Sequence, residues 1–223
     1  MRHAVLLALS LALSLALGPL LVTGCSLLQP APGDEPAQHL LDARPAVAAS
    51  ARQELVLALS APRAAPGFDT AALVYVQRPH ALDHYATHRW ADTPARMLGP
   101  LLARTLEDAG GFRAIVQASG AVPADLRLDT EIVQLRHSFL ARPSRAELTL
   151  RVQLVDIAGR RVLATRYIEQ TQEASTGDPT GGVDAANAAL ARALAEVAAF
   201  CAEAAADGRL RKLPSRTGPS APP

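Results

Sequence analysis

The chain has 223 residues, enough for one folded domain with terminal extensions, and its 22 Lys and Arg nearly balance 21 Asp and Glu. Hydrophobic residues reach 49% but aromatics only 4%, so the core must be built from Leu, Val, Ile and Ala. Lys212 is the one lysine, and removing residues 1–24 takes away Arg2 and no acid; the balanced remainder excludes broad electrostatic capture of nucleic acid, which needs a basic face.

Arg2 and His3 open the chain, and a run dominated by Ala, Leu and Ser follows to Leu17, then Gly18-Pro19 and Leu20-Leu21. This is the basic start and apolar stretch of an export signal, spanning residues 1–24. Gly18-Pro19 breaks the run, and no charged flank follows it, which argues against a retained membrane span. Val22-Thr23-Gly24-Cys25 resembles the bacterial lipobox. Small side chains at Thr23 and Gly24 let a peptidase reach the backbone. The Cys25 thiol takes a diacylglycerol through a thioether, and an acyl chain such as palmitate follows on the new amino terminus. One acyl chain anchors only marginally, whereas several on one residue hold lastingly. Ser26 stands where an aspartate would direct retention at the inner membrane in enteric bacteria, so the outer membrane is favoured. With Cys25 acylated, Cys201 has no partner for a disulfide and reads as a buried, unreactive thiol on a helix stripe.

Residues 25–37, with Pro30, Pro32, Gly33 and Pro36, read as a lipidated flexible linker. Residues 38–206 form one domain, and residues 207–223, rich in proline, read as a disordered tail. Within the domain His39–Asp42 is extended and Glu54–Ser60 is an apolar strand ended by Pro62 and Pro66-Gly67. Leu73–Gln77 and Leu82–Trp90 are further strands separated by Pro79. A helix follows, with Thr93 as its cap, Pro94 in its first turn and Gly110-Gly111 as its stop. Its apolar face is Met97, Leu98, Leu101, Leu102, Thr105 and Leu106.

Phe112–Gln117 leaves that helix as a strand. In Asp125–Ile132 the residues Leu126, Leu128 and Ile132 face one way, and Asp125, Arg127, Asp129 and Glu131 the other. The phase changes at Val133 and Leu135, which predicts a bulge near Ile132. Ala146–Asp156 alternates again, and Ala158-Gly159 turns into Arg161–Gln170. A polar loop from Ser175 to Gly182 leads to a helix from Val183 to Ala206 with the stripe Val183, Ala186, Leu190, Leu194, Val197 and Cys201. The order predicts an α+β fold: a small mixed or antiparallel sheet with two main helices packed on one face.

The run Tyr75 to Leu98, YVQRPHALDHYATHRWADTPARML, carries a resemblance to a known family. Three segments follow it in order: Ala124 to Ile132, then Gly181-Gly182-Val183 with Ala185-Ala186-Asn187, then Phe200-Cys201. Together they resemble the ABC-type transport auxiliary lipoproteins, among them the lipoprotein of the paraquat-inducible operon. The resemblance implies a non-enzymatic subunit working beside an ATPase, a permease and a mammalian-cell-entry (MCE) domain protein that bridges the periplasm. Such systems move phospholipids or other hydrophobic molecules. It also implies a fold similar to the amino-terminal domain of the Tol-system propeller protein. Bridging assemblies are commonly symmetric, so a homo-oligomer is among the states it allows. The alternative is a lipoprotein that scaffolds or activates cell-wall or lipopolysaccharide machinery, since the fold type does not discriminate.

Arg78, His80, Arg89, Trp90 and Arg96 are the candidates for partner contact, because interfaces favour arginine and aromatic anchors. Trp90 has a second reading, as a residue that pins the following helix onto the sheet. His80, His84 and His88 recur every fourth residue, which on a helix would suit zinc. On a strand they share one face but spread too far for one ion, so neither metal nor cofactor is expected. Asp125, Arg127, Asp129 and Glu131 read as a solvated face of alternating charge rather than a catalytic pair. No nucleophile elbow or phosphate loop is present.

Overall fold

The computed structural model describes residues 35–119 and 122–207. The signal segment, Cys25, most of the linker and the tail from residue 208 lie outside the described residues. The folded unit begins at Pro36. In chain order it holds β1 (Ala37–His39), β2 (Gln53–Leu59), β3 (Arg63–Ala64), β4 (Ala72–Val76) and β5 (Asp83–Trp90). Helix α1 (Pro94–Ala109), β6 (Phe112–Gln117), β7 (Leu126–Ser138), β8 (Arg145–Asp156), β9 (Arg161–Glu173) and helix α2 (Pro179–Ala206) follow.

All nine strands belong to one mixed sheet organised on β7. Along one edge β7 pairs antiparallel with β8 over its whole length, and β8 pairs antiparallel with β9. Along the other edge it takes three short parallel partners in succession. Leu57 and Leu59 of β2 lie opposite Leu126 and Leu128, Arg63 of β3 opposite Glu131, and Tyr75 of β4 opposite His137. Strand β6 extends the sheet beyond β2, and β5 then β1 extend it beyond β4.

The bulge lies where the phase change placed it. Ile132 faces Leu150 and Gln134 faces Thr149, so Val133 is the extra residue. Before it Leu126, Leu128, Thr130 and Ile132 are buried; after it the buried positions are Leu135, His137 and, at the strand's end, Ser138. A strand without the bulge would put one of these sets in water.

Helices α1 and α2 pack against each other and against the sheet. Helix α1 begins at Pro94 with Thr93 as its N-cap, but the Thr93 side chain caps nothing; Asp92 instead accepts a hydrogen bond from the Thr93 N–H at 2.7 Å. Gly110 closes the helix in the left-handed region at φ 68°, which glycine adopts at no steric cost. Helix α2 starts at Pro179, four residues before the expected Val183. Asp178 caps it by accepting from the Gly181 N–H, so Gly181 and Gly182 belong to the first turn. By length and composition α2 could cross a membrane. It lies on the sheet instead, with Ala189, Ala193, Leu194, Val197 and Cys201 fully buried. Its alanines let the helix axis approach β8 and β9 closely, which compensates for the scarcity of aromatics.

Leu150 sits at the centre of β8 with 0% exposure, whereas Tyr167 on β9 is 58% exposed. Leu150→Ala should cost about 2–5 kcal/mol, as buried leucine truncations do. Tyr167→Ala should stay within about 0.5 kcal/mol. Urea denaturation of the two variants checks the assigned core.

Candidate partner-binding surface

Two of the segments that carry the family resemblance, Tyr75–Leu98 and Gly181–Asn187, meet around one buried histidine. His137, near the end of β7, is 4% exposed. Its Nδ1 lies 2.9 Å from the Tyr85 hydroxyl of β5, and its Nε2 lies 2.9 Å from Ser144 Oγ, just before β8. A neutral ring donates from one nitrogen only, so one hydroxyl donates to the ring and the other accepts from it. Phe139 packs on the ring at 4.3 Å between centroids, and Tyr75 lies 4.5 Å from Tyr85. Burial lowers the His137 pKa, against a smaller opposing pull from Asp178. Burial, with Tyr75 and Asp178, pushes the Tyr85 hydroxyl up to about 12. Both groups are neutral at pH 7, and the chain of hydrogen bonds joins β5, β7 and the start of β8.

The Gly-Gly pair follows from this arrangement. A Cβ at Gly182 would fall on the His137 ring, and one at Gly181 would strike Thr176. The sequence places these glycines in a polar loop, but they act inside the helix, where their missing side chains allow its close approach to His137 and Thr176. Asn187, one turn further on, holds the entering chain: its Oδ1 accepts from the Asp42 N–H at 2.8 Å and its Nδ2 donates to the Leu40 carbonyl at 3.1 Å. Beside it His39 Nε2 and His88 Nδ1 lie 2.8 Å apart with stacked rings, joining β1 to β5. Burial and then His88 lower the His39 pKa, with Asp184 opposing. Sequence reasoning missed this pair, because 49 residues separate its members and nothing local marks either.

The five candidate contact residues do not form one patch. Arg78 and His80 are exposed in the turn before β5, where His80 adopts φ 64°. Arg89, the penultimate residue of β5, and Arg96, in the first turn of α1, are exposed, with Arg96 Nε 3.3 Å from Asp92 Oδ2. Most of β5 lies between the two groups. Trp90 requires a correction: at 3% exposure it is part of the core and offers no area to a partner. The pinning reading is the one its burial supports.

The even-spacing argument for His80, His84 and His88 also needs correction. His80 is in the turn, and β5 is irregular against β4: Val74 lies opposite His84 but Ala72 opposite Arg89. The slip takes His88 away from His84 and toward His39. Among the described residues no three His, Cys, Asp or Glu side chains converge as metal ligands.

The charged stripe of β7 is ion-paired. Arg127 Nε lies 2.9 Å from Asp129 Oδ1, which also accepts from Ser60 Oγ at 2.5 Å. Burial raises the Asp129 pKa, but these hydrogen bonds and the charges of Arg127 and Arg63 outweigh it and hold the carboxyl below the usual range. Glu147 is treated likewise by burial against Arg136 and Arg145, and Arg151 approaches Glu131 at 3.5 Å. Cys201 is fully buried, and burial pushes its thiol up to about 12 despite nearby Arg166.

The family model described as ABC-type transport auxiliary lipoprotein component matches residues 39–198, from the His39 clip through most of α2. No curated protein matches the chain. Among solved structures, the protein XCC0632 from Xanthomonas campestris is 20% identical with a TM-score of 0.65, covering 79% of this chain and 96% of that one. The hypothetical protein CT253 from Chlamydia trachomatis is 11% identical with a TM-score of 0.53, covering 69% and 99%. At these identities the likeness is one of fold: a small α+β unit with a mixed sheet and two helices.

The lowered pKa values of His39 and His137 make stability depend on pH. The unfolded chain takes up protons near 6.5 while the folded rings stay neutral. Stability is therefore full above about pH 6.5 and falls as pH drops toward the folded values. The carboxylates act lower, as pH falls below the ordinary carboxylate range. The urea midpoint should decline from pH 7.5 to 5.5, and His137→Asn should lower it at pH 7.5 while shrinking that decline. An undiminished decline in the variant would place its source elsewhere.

Proposed function

The chain belongs to the ABC-type transport auxiliary lipoprotein component family, and from that premise we propose that it acts by docking a transporter's periplasm-spanning component from a lipid anchor. The observation that carries the reading is the family match over residues 39–198, nearly all of the folded unit. The family is one of auxiliary, non-catalytic components. In keeping with such a role, His137 and Tyr85 are neutral and closed over by Gly182, and the charged residues of β7 pair with each other or with β8.

On this reading Cys25 is the lipidated residue, residues 1–24 are removed, and residues 25–37 link the lipid to the domain. The partner is an MCE-domain protein with its permease and ATPase, the cargo is phospholipid or another hydrophobic molecule, and the anchor sits in the outer membrane. Arg89 and Arg96 are our candidates for protein contact, because both are exposed beside the rigid Trp90 corner where β5 meets α1. The likeness to the Tol-system amino-terminal domain belongs to the same reading, as a shared scaffold.

Gentle affinity purification of the full lipoprotein from its own membranes, with mass spectrometry of what it retains, tests this. Recovery of an MCE protein with permease and ATPase is the expected result, and Arg89→Glu with Arg96→Glu should reduce that recovery at least tenfold. Recovery of cell-wall or lipopolysaccharide machinery without transporter parts would favour the scaffold alternative.

A further inference from the structure

We propose that one end of the sheet, formed by the β4–β5 turn (residues 77–82) and the β7–β8 loop (residues 139–144), is the surface that the domain lays on the bilayer. The proposal rests on the lipid anchor at Cys25. Strand β1 runs parallel to β5, with Ala37 beside His88 and His39 beside Trp90. The chain therefore enters from the side on which β5 starts, and Pro36 lines a recess with Tyr85, Ala86 and His88. Eleven residues, 26–36, separate Cys25 from β1. They reach at most about 40 Å. The 13 residues of β7 extend a similar distance, roughly 43 Å. The entry at Ala37 lies nearer the Ser138 end of β7 than the Leu126 end, since Arg89 beside it faces Ala72 of β4, and Tyr75 of the same strand faces His137.

The chemistry of this end suits a phospholipid surface. Leu82 is 42% exposed and Leu140 is 45% exposed, with Arg78 and Arg142 in the same two loops. Apolar tips flanked by guanidinium groups match a bilayer interface, where leucine enters the acyl boundary and arginine meets phosphate. Both loops stand on rigid ground. The Phe139 N–H donates to the Val76 carbonyl at 2.8 Å, tying one loop to the strand that precedes the other, and the Phe139 ring packs on His137. The Ala174 N–H donates to the Ser144 carbonyl at 2.8 Å and fixes the far side. Between the β7–β8 loop and the residues that follow β9 lies a recess of about 500 Å³ lined by Phe139, Arg142, Pro143, Ser175 and Thr176, with Gln77 at its edge. Its size admits a lipid headgroup.

The cysteine content makes a direct test available. Cys25 is acylated on this reading, and Cys201 is buried with its thiol pushed up to about 12, so an introduced cysteine is labelled alone. The full lipidated chain carrying Leu140→Cys, or Ile157→Cys at the opposite end of the sheet, is labelled with a nitrobenzoxadiazole fluorophore. It is then placed in phosphatidylethanolamine–phosphatidylglycerol vesicles containing spin-labelled lipid. Quenching at position 140 should exceed that at 157 severalfold, and Leu82→Glu in the Leu140→Cys chain should bring it down to the level at 157. Protein that floats with the vesicles but shows equal quenching at both positions, or more at 157, overturns the proposed orientation and leaves the anchor intact. Protein that does not float refutes the anchor, and the orientation falls with it.

Discussion

Strand β7 is paired along its whole length on one edge and with three short strands in succession on the other, and the rest of the domain is arranged by that constraint. One edge holds the regular β8–β9 hairpin, and the other holds β2, β3 and β4 in turn as the chain passes alongside. Thirteen residues cannot stay flat while serving both, because a twisted sheet carries one face of the strand progressively away from a straight helix. The extra residue at Val133 resolves the conflict by resetting which side chains face inward. Leu126, Leu128 and Ile132 serve the core before it, and Leu135 and His137 serve it after.

The position of His137 then dictates the helix. Its ring occupies the space in which α2 must begin, so the first turn of α2 carries Gly182 over the ring and Gly181 beside Thr176. With that start fixed and Asp178 as cap, α2 runs back along β9, where Arg166 reaches Glu203 at 2.8 Å and stacks over Phe200. Asn187 faces the incoming chain and clamps Leu40 and Asp42. A single bulged strand thereby sets where the helix starts and where the chain enters the fold.

Periodicity made much of this legible in the sequence. The alternation in 125–132, its phase change at Val133 and Leu135, and the α2 stripe ending at Cys201 are local patterns, and each has a direct structural counterpart. The two residues of β3 carry no pattern long enough to read. The start of α2 was hidden because two glycines and a proline look like loop when the ring beneath them is out of view. The site was less legible than the fold. Residues 78, 80, 89 and 96 are close in sequence, but β5 lies between them and separates them into two groups. Trp90 shows the same limit, since an aromatic anchor for a partner and one for the core have the same sequence signature. The His39–His88 contact depends on a parallel pairing that no local feature announces.

The family is one of auxiliary components, and a domain whose helix start and chain entry are both fixed by one bulged strand is suited to holding a set shape at the end of a tether. The central claim is that attachment, rather than chemistry, is how the chain works. The most direct test is Cys25→Ser, exported and compared with the native chain in a strain lacking it. Circular dichroism and the urea midpoint check that the domain still folds, and restoration of the strain's envelope permeability is the readout. The account predicts a folded protein released from membranes that fails to restore the barrier; full restoration by the soluble form would contradict it.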